Sequence, residues 1–196
     1  MTLPLREKRK QETAFQIQRA TLELAIQKGL EKATTEEIAA ASGVSTRTFF
    51  NYFQNKEAAA VGRPPRFSEE ELDLLRSCKG AIASDIKEML DRHVAVLAGQ
   101  EDILRMVGHI MRTNEKARGI LDGHLAAERH AVTDALASRV SSPQTAAALA
   151  STVTNTVGGA IFLWEHEGDL TLAAALDAVW EGLLDASQLL LASPPS

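Results

Sequence analysis

The chain has 196 residues, of which 45% are hydrophobic and 24% are charged, and its net charge is −5. This composition suits one or two compact domains, and it excludes collagen, low-complexity disorder and a small disulfide-bonded scaffold. No window approaches the roughly 18 unbroken apolar residues of a membrane helix, and the start MTLPLREKRKQET lacks the apolar region of a signal peptide. We therefore expect a soluble, cytoplasmic protein that does not enter a membrane.

The single cysteine, Cys78, cannot form an internal disulfide or hold a thiolate-rich zinc site alone. We expect it to act as a small packing residue. Charge is distributed unevenly: residues 1–66 contain 11 Lys and Arg against 7 Asp and Glu, and residues 67–196 contain 10 against 19. A basic end on an acidic body is typical of a protein that approaches a polyanion with one part only. The alternative is a chance fluctuation among solvated surface charges.

Apolar residues recur at helical spacing, and no stretch shows a convincing strand alternation, so the fold class is all-α. The pattern predicts helices over residues 8–29, 35–42, 46–53, 56–62, 69–76, 80–98, 102–113, 115–140, 143–167 and 171–192. The linker-like stretch Gly62–Phe67, GRPPRF, divides the chain. We therefore predict an N-terminal three-helix domain over residues 1–62 and a larger helical domain over residues 63–196, with a frayed tail at Ser193–Ser196.

The N-terminal domain contains the signals of two short, consecutive helices. Thr34 and Glu37 have the spacing of a capping box, in which the hydroxyl accepts from the glutamate amide and the carboxylate reaches back to the cap amide. Gly43 ends this helix with a positive φ, and Ser45 is placed to cap the next one. Two short helices joined by a glycine-containing turn are typical of a helix-turn-helix unit.

The second of these helices has one apolar and one polar face. Phe49 and Phe53 are four residues apart and are expected to pack into the core. The remaining positions are expected to be exposed and hold uncharged polar groups and one guanidinium: Thr46, Arg47, Thr48, Asn51 and Tyr52. A helix without acids fits the DNA major groove, where arginine can bind guanine O6 and N7, and Lys56 can bind a phosphate. The alternative is an ordinary amphipathic helix with a polar outer face.

The stretch from Ile17 to Lys56 resembles the DNA-binding domain of tetracycline-repressor (TetR) family regulators. The matching residues are Ile17, Ala20, Leu22, Leu24, Gly29, Leu30, Thr34, Ile38, Ala39, Ala41, Gly43, Val44, Ser45, Thr48, Phe49, Phe50, Tyr52, Phe53, Lys56 and Glu57. The resemblance implies base contacts from Thr46 and Arg47, and backbone contacts from Thr34, Thr48, Tyr52 and Lys56. Thr35, Ser45 and Asn51 complete the predicted DNA-binding set.

The chain departs from this family at two positions. The family usually has a tyrosine that donates to a phosphate where this chain has Phe50, so that contact is expected to be lost or replaced by packing. A larger aromatic is common at the position of Ala25, so we expect Ile26 or Phe15 to fill the volume.

The resemblance also implies a ligand-binding and dimerisation domain beyond about residue 68. Two wide apolar faces on the last two helices exceed what one small domain readily buries, so we interpret them as half of a four-helix dimer interface. The predicted interface residues are Val153, Val157, Ala160, Ile161, Trp164, Leu176, Val179, Trp180 and Leu183. The alternative is burial within the single chain.

Flexible methionines with scattered polar groups suit an adaptable ligand pocket, although each residue could equally belong to an ordinary core. The predicted pocket residues are Met89, His93, Met106, Ile110, Met111, His124 and Phe162. His124, Glu128 and His130 form the only cluster that resembles a metal site, but their spacing turns His130 away, so we predict no metal.

The leading hypothesis is a homodimeric transcription factor, most simply a repressor that a small-molecule effector of unknown identity releases from a palindromic double-stranded DNA operator. An alternative is a helix-turn-helix regulator controlled by a protein partner without a small-molecule pocket. A helical, metal-dependent enzyme is a third alternative, but the sequence shows no catalytic arrangement, so we predict neither an enzyme nor a cofactor.

Overall fold

The computed structural model of the protein describes residues 5–77 and 80–191. Cys78 and the tail Ser193–Ser196, on which two of the expectations above rest, lie outside the described residues.

The described residues form ten α-helices and one 3₁₀ helix, with no β-strand. The α-helices are α1 (Leu5–Lys28), α2 (Thr35–Ala41), α3 (Thr46–Tyr52), α4 (Lys56–Val61), α5 (Glu69–Ser77), α6 (Ile82–Ala98), α7 (Glu101–Thr113), α8 (Glu115–Leu136), α9 (Pro143–His166) and α10 (Leu172–Leu191). The 3₁₀ helix spans Leu30–Lys32. The all-α class and the existence of every predicted α-helix are confirmed.

Two local predictions were wrong. The helix predicted to run to residue 140 ends at Leu136, because Arg139 turns back to bond the Leu136 carbonyl and to pair with Asp85. The 3₁₀ helix was not predicted, since Gly29 was expected to be the last residue of α1. Gly29 instead has φ of 86° and redirects the chain into Leu30–Lys32.

The chain divides into two compact units. The first contains residues 1–64 and 101–124, and the second contains residues 65–100 and 125–196. The predicted domain boundary near residue 62 stays a prediction, but the packing adds α7 and the first part of α8 to the N-terminal unit. Sequence patterning could not show this, because the added helices are far from α1 along the chain.

The first unit has two apolar clusters on α1. One side of α1 packs with α2 and α3 through a cluster that contains Ala14, Ile17, Ala33, Ile38, Ala39, Phe49, Phe53 and Ala59. The other side packs with α7 and α8 through a cluster that contains Leu22, Ala25, Leu30, Ala60, Val61, Ile103, Ile110 and Ala117. Helix α1 therefore lies between the helix-turn-helix and α7 within this unit.

The second cluster corrects the expectation about Ala25. Ala25 is buried, and its cluster is completed by apolar residues of α7, including Ile103 and Ile110. Phe15 and Ile26 lie at the surface instead, with 38% and 47% of their surface exposed. The volume is therefore filled from α7, and not by neighbours on α1.

The second unit contains a buried ion pair that ties the end of α8 to the α5–α6 connection. Arg139 donates to the Asp85 carboxylate at 2.6 Å, and both side chains are about one-tenth exposed. The same guanidinium donates to the carbonyls of Gly80 at 2.8 Å and Leu75 at 3.4 Å. With these carbonyls as further acceptors, the buried guanidinium is well satisfied.

Helix α9 is long and apolar enough to cross a membrane by length and composition alone. The core helix of a soluble protein passes the same test. Here one face of α9, which includes Val153, Ala160 and Trp164, is buried in the second unit. Its buried hydroxyls bond within the helix, as Thr156 does to the Thr152 carbonyl at 2.8 Å. We therefore interpret α9 as a core helix.

The predicted capping box at the start of α2 is confirmed. Glu37 N–H donates to the Thr34 hydroxyl at 3.2 Å, and the Glu37 carboxylate accepts from the Thr34 amide at 2.9 Å. Lys28 donates to the other carboxylate oxygen at 2.5 Å. The bond from Lys28 and those from Thr34 lower the pKa of Glu37 from 4.5 to about 2. The cap of α2 is therefore charged through most of the acid range.

Helix α4 ends at Gly62, where φ is 70° and ψ is −142°. This backbone region is open essentially to glycine alone. The Gln18 amide of α1 is buried beside it and donates to the Val61 carbonyl at 3.0 Å and to the Ala60 carbonyl at 3.4 Å. A Cβ atom on Gly62 would lie 2.1 Å from the Gln18 side chain, so the two residues constrain each other.

We expect Gly62→Ala to lower the free energy of unfolding by about 1–3 kcal/mol, because alanine is strained at this φ and ψ. Adding Gln18→Ala is expected to relieve the contact but not the strain. Gly168→Ala is the control, since Gly168 has no positive φ and open space around its Cα. Urea unfolding of the four proteins measures the effect, and equal stability of Gly62→Ala and Gly168→Ala would contradict it.

We also expect Glu37 to make the folded chain acid-sensitive between pH 4.5 and pH 2. As the pH falls through this window, the unfolded chain protonates Glu37 first, because the folded chain holds it ionised to lower pH. The stability difference between the wild type and Glu37→Gln should therefore be present above pH 4.5 and shrink towards pH 2.

Urea midpoints measured between pH 7 and pH 2 test this expectation. Glu36→Gln is the matched control, because Glu36 contacts the Thr35 hydroxyl and neither Lys28 nor the Thr34 amide. A stability difference for Glu37→Gln that stays constant with pH would refute the role given to this carboxylate.

Candidate nucleic-acid interface

The turn between α2 and α3 is closed by backbone bonds and by one side-chain cap. Val44 N–H donates to the Ala39 carbonyl at 2.9 Å, and Gly43 has φ of 71°, as predicted. The Ser45 hydroxyl accepts from the Thr48 amide at 3.1 Å, which confirms Ser45 as the N-cap of α3. The geometry is that of a helix-turn-helix, with α3 in the place of the recognition helix.

The rotation of α3 about its axis is set by two phenylalanines. Phe49 is fully buried and Phe53 is 6% exposed, and their ring centroids are 6.3 Å apart. Both belong to the cluster that also contains Ile17 and Ile38. Since successive residues of a helix are about 100° apart, the positions opposite Phe49 must face outward.

The outward face of α3 consists of Arg47, Phe50 and Asn51, which are the exposed residues of this helix. They span an arc of about 100°. Among the described residues, neither Arg47 nor Asn51 has a side-chain hydrogen-bond partner, and α3 contains no acidic residue. This face therefore offers five guanidinium donors, an amide and a phenyl ring to a partner.

Residues on the flanks of α3 are half-buried and partly engaged. Thr46, Thr48 and Tyr52 fall in this class. The Thr48 and Ser45 hydroxyls share a hydrogen bond of 2.8 Å. The Arg63 guanidinium carbon lies 5.9 Å from the centre of the Tyr52 ring, within the range of a cation–π contact. Arg63 was missed in the sequence, since it lies in the linker-like stretch.

Most of the remaining predicted DNA ligands make bonds within the protein. Thr34 caps α2, and the Thr35 hydroxyl donates to Glu36 at 3.3 Å. The Lys56 ammonium donates to the carbonyls of Glu31 at 2.7 Å and Ala33 at 3.1 Å. It thereby satisfies carbonyls at the end of the 3₁₀ helix, a role that the sequence did not reveal.

Phe50 was absent from the predicted DNA-binding set. The ring touches Phe49 edge-to-face, with centroids 5.3 Å apart, but 53% of the residue is exposed. The signal was present in the sequence: Phe50 is three residues after Arg47 and one before Asn51, so all three share a face once Phe49 is placed in the core.

The predicted pocket residues are divided between the two units. Met106, Ile110 and Met111 belong to the α1–α7 cluster of the first unit, where Ile110 is buried. His124 is exposed at the end of the same unit.

In the second unit, Met89 and His93 are buried on α6, whereas Phe162 is 63% exposed on α9. The Phe162 ring stacks on His166 at the surface, with centroids 4.1 Å apart, and so does not line the interior of this unit.

His93 lies beside a cleft of about 270 Å³ in the second unit. Its ring packs against Phe67 with centroids 4.4 Å apart. Burial lowers the pKa of His93, and the charges of Glu71 and Glu128 oppose this shift. Ser68 and Glu71 form a second capping box at the start of α5, which the Ser-x-x-Glu spacing could have revealed.

Two of the three residues considered for a metal site, Glu128 and His130, have other partners. Glu128 accepts from the Arg66 guanidinium and from the Phe67 amide, each at 2.9 Å, and so holds the chain that leads into α5. His130 lies 3.6 Å from Asp134. Within residues 5–77 and 80–191, no three His, Cys, Asp or Glu side chains form a group that could hold a metal ion.

The predicted dimer residues divide into an inner and an outer set. Val153, Ala160, Trp164 and Leu176 are buried within the single chain. They lie on the faces by which α9 and α10 pack in the second unit. Those that keep part of their surface exposed are Val157, Ile161, Val179, Trp180 and Leu183.

Residues 17–58 match the family model described as bacterial regulatory proteins, tetR family. Over 131 residues the chain is 30% identical to the HTH-type transcriptional regulator TcmR of Streptomyces glaucescens. The match covers 62% of this chain and 56% of TcmR, so it spans little more than half the length of that relative.

Two solved structures share the fold. FadR of Bacillus subtilis, solved in complex with stearoyl-CoA, is 21% identical to this chain, with a TM-score of 0.55. The match covers 86% of this chain and 96% of the FadR chain. FadR of Bacillus halodurans is also 21% identical, with a TM-score of 0.56 and coverages of 88% and 94%. These findings show that residues 17–58 match the DNA-binding domain of the tetR family of bacterial regulatory proteins and that the chain shares the fold of the two FadR structures.

Proposed function

We propose that this protein is a homodimeric transcriptional regulator that represses by binding a palindromic DNA operator and is released from it by a small-molecule effector. The observation that carries the proposal is the outward face of α3, which has no acid and presents Arg47 and Asn51 without partners of their own. The protein acts in the cytoplasm, where its DNA is, and as a regulator, not as an enzyme.

The chemistry of this face matches base edges in the major groove. An arginine can bind O6 and N7 of a guanine with two hydrogen bonds, and an asparagine can do the same with N6 and N7 of an adenine. Both side chains lie on a short helix held by its Ser45 cap and by Phe49 in the core. Because the helix cannot rotate without exposing Phe49, it presents Arg47 and Asn51 on the outward side before DNA binds.

The flanking groups are suited to the phosphate backbone. Thr46 and Tyr52 lie beside the base-reading face, and the Arg63 cation lies over the Tyr52 ring. Lys56 uses two of its three protons on backbone carbonyls, and the third can reach a phosphate. Such contacts would position the domain without reading sequence.

The dimer part of the proposal rests on the outer apolar residues of α9 and α10. Ile161, Val179 and Trp180 are half-buried, and Phe162 and Leu184 are exposed by 63% and 39%. Large apolar side chains exposed on the surface of a soluble protein are a common feature of protein–protein interfaces. A symmetric dimer would place two copies of α3 on one side of a DNA duplex, with half-sites roughly 34–36 Å apart.

The effector part of the proposal assigns ligand binding to the larger helical region. The cleft beside His93 lies in this region and is lined mainly by polar and charged side chains, including Arg66 and Arg92, together with Val96. FadR of Bacillus subtilis was solved with stearoyl-CoA, so this compound is the first probe to add to an operator complex. Control by a protein partner, the alternative, would be favoured if no small molecule changes operator affinity.

We expect Arg47→Ala to bind the operator at least about fivefold more weakly while keeping its fold, because a bidentate arginine–guanine pair contributes about 1–3 kcal/mol of discrimination. Selection of bound fragments from genomic DNA supplies the operator, and fluorescence anisotropy at two salt concentrations supplies the affinities. Arg19→Ala is the matched control, since Arg19 is an exposed arginine that pairs with Glu23 on α1. Unchanged operator affinity of Arg47→Ala would refute the proposal.

We expect Phe162→Glu to shift the protein from dimer to monomer, because the change places a charge within the outer apolar surface. Val96→Glu is the control: Val96 is 54% exposed on α6 and lies apart from the outer residues of α9 and α10. Analytical ultracentrifugation measures the change. A dimer that tolerates Phe162→Glu as well as Val96→Glu would place the interface elsewhere.

A further inference from the structure

Phe50 is a large apolar side chain on the face of α3 that is otherwise polar. It is 53% exposed, and Arg47 and Asn51 lie on the same outward arc. It is in the middle of the helix and does not belong to a loop or a chain end. It does not belong to the apolar cluster that holds Phe49 and Phe53.

The Phe50 ring packs against a core residue of the same helix. The Phe50 ring packs edge-to-face against the Phe49 ring, with centroids 5.3 Å apart and an interplanar angle of 89°. Phe49 itself is fully buried. This contact fixes one side of the Phe50 ring and leaves the other side open to a partner. The Phe50 ring is therefore supported by the core on one side and exposed on the other.

The chemistry of a phenyl ring limits what it can recognise in DNA. It has no hydrogen-bond donor, so it cannot bind a phosphate as a tyrosine could. The base edges in the major groove are donors and acceptors, with the exception of the thymine C5-methyl group, which makes apolar contacts with residues such as phenylalanine. Covering this methyl group removes apolar surface of both partners from water.

We propose that Phe50 is a specificity-determining residue that reads the C5-methyl group of a thymine in each operator half-site. The inference rests on the proposed function, because it assigns one base contact within that DNA-reading face. Residues three apart on a helix have Cβ atoms about 5–6 Å apart, and base pairs stack at about 3.4 Å. The thymine therefore lies one or two base pairs from the base that Arg47 reads.

The experiment removes the methyl group and leaves every hydrogen bond of the base pair in place. In the operator selected by the wild-type protein, each thymine of a half-site is replaced in turn by deoxyuridine. We expect one replacement to weaken wild-type binding by about fourfold, which corresponds to one buried methyl group. The same replacement is expected to leave the affinity of Phe50→Ala unchanged, and Phe50→Leu is expected to keep part of the sensitivity.

Phe15→Ala is the matched control, because Phe15 is also an exposed aromatic but lies on α1. It should keep the full deoxyuridine effect. As a readout that needs no variant, 5-bromodeoxyuridine at the sensitive position should photocrosslink the wild-type protein at Phe50.

The outcomes separate this inference from the proposed function. If wild-type binding depends on Arg47 but no deoxyuridine weakens it, or if Phe50→Ala keeps the same sensitivity, Phe50 does not read a methyl group and the DNA-reading function stands. A crosslink to a residue other than Phe50 would likewise overturn the inference. If the wild-type protein selects no sequence at all, the proposed function fails, and the inference fails with it.

Discussion

The burial of Phe49 is the constraint on which the candidate interface depends. Helix α3 has only seven residues, too few to be stable alone in water, so its existence and rotation come from packing. With Phe49 fully buried and Ser45 capping the first turn, only one arc of the helix can face outward. The identity of the candidate DNA-reading residues therefore follows from one core position. What the face can recognise then depends on the chemistry of its three outward side chains.

The polar residues around α3 show why a sequence leaves their roles open. Serine, threonine and asparagine cap helices for the same reason that they bind phosphates: they supply short, well-placed hydrogen-bonding groups. In the structure, Thr34 and Ser45 are helix N-caps, and the Lys56 ammonium donates hydrogen bonds to backbone carbonyls. Their residue types and spacing predicted a helix-turn-helix correctly, yet could not separate the groups that build it from the groups left free for DNA.

The helices and the capping box could be predicted because their signals are local. Periodicity, caps and glycines act within a few residues, and all ten α-helices have counterparts in the predicted pattern. Side-chain partners far apart along the chain could not be predicted in this way. The Arg139–Asp85 pair, which accompanies the early end of α8, and the bonds of Glu128 to Arg66 and Phe67 join residues more than fifty positions apart. The packing partners of the inner faces of α9 and α10 could not be predicted either. The sequence predicts an apolar helix face, but it does not show whether the surface that packs against this face lies in the same chain.

Within the first unit, α1 and α4 are placed to connect α3 with α7. Ala14 and Ile17 of α1 join the cluster that holds Phe49, whereas Leu22 and Ala25 join the cluster of Ile103 on α7. Helix α4 contributes to both clusters and is bonded to α1 through Gln18. Because close-packed elements move together, a displacement of α7 would reach α3 by way of α1 and α4. Gly62 at the end of α4 and Gln18 of α1 therefore stabilise the segment through which such a displacement would pass.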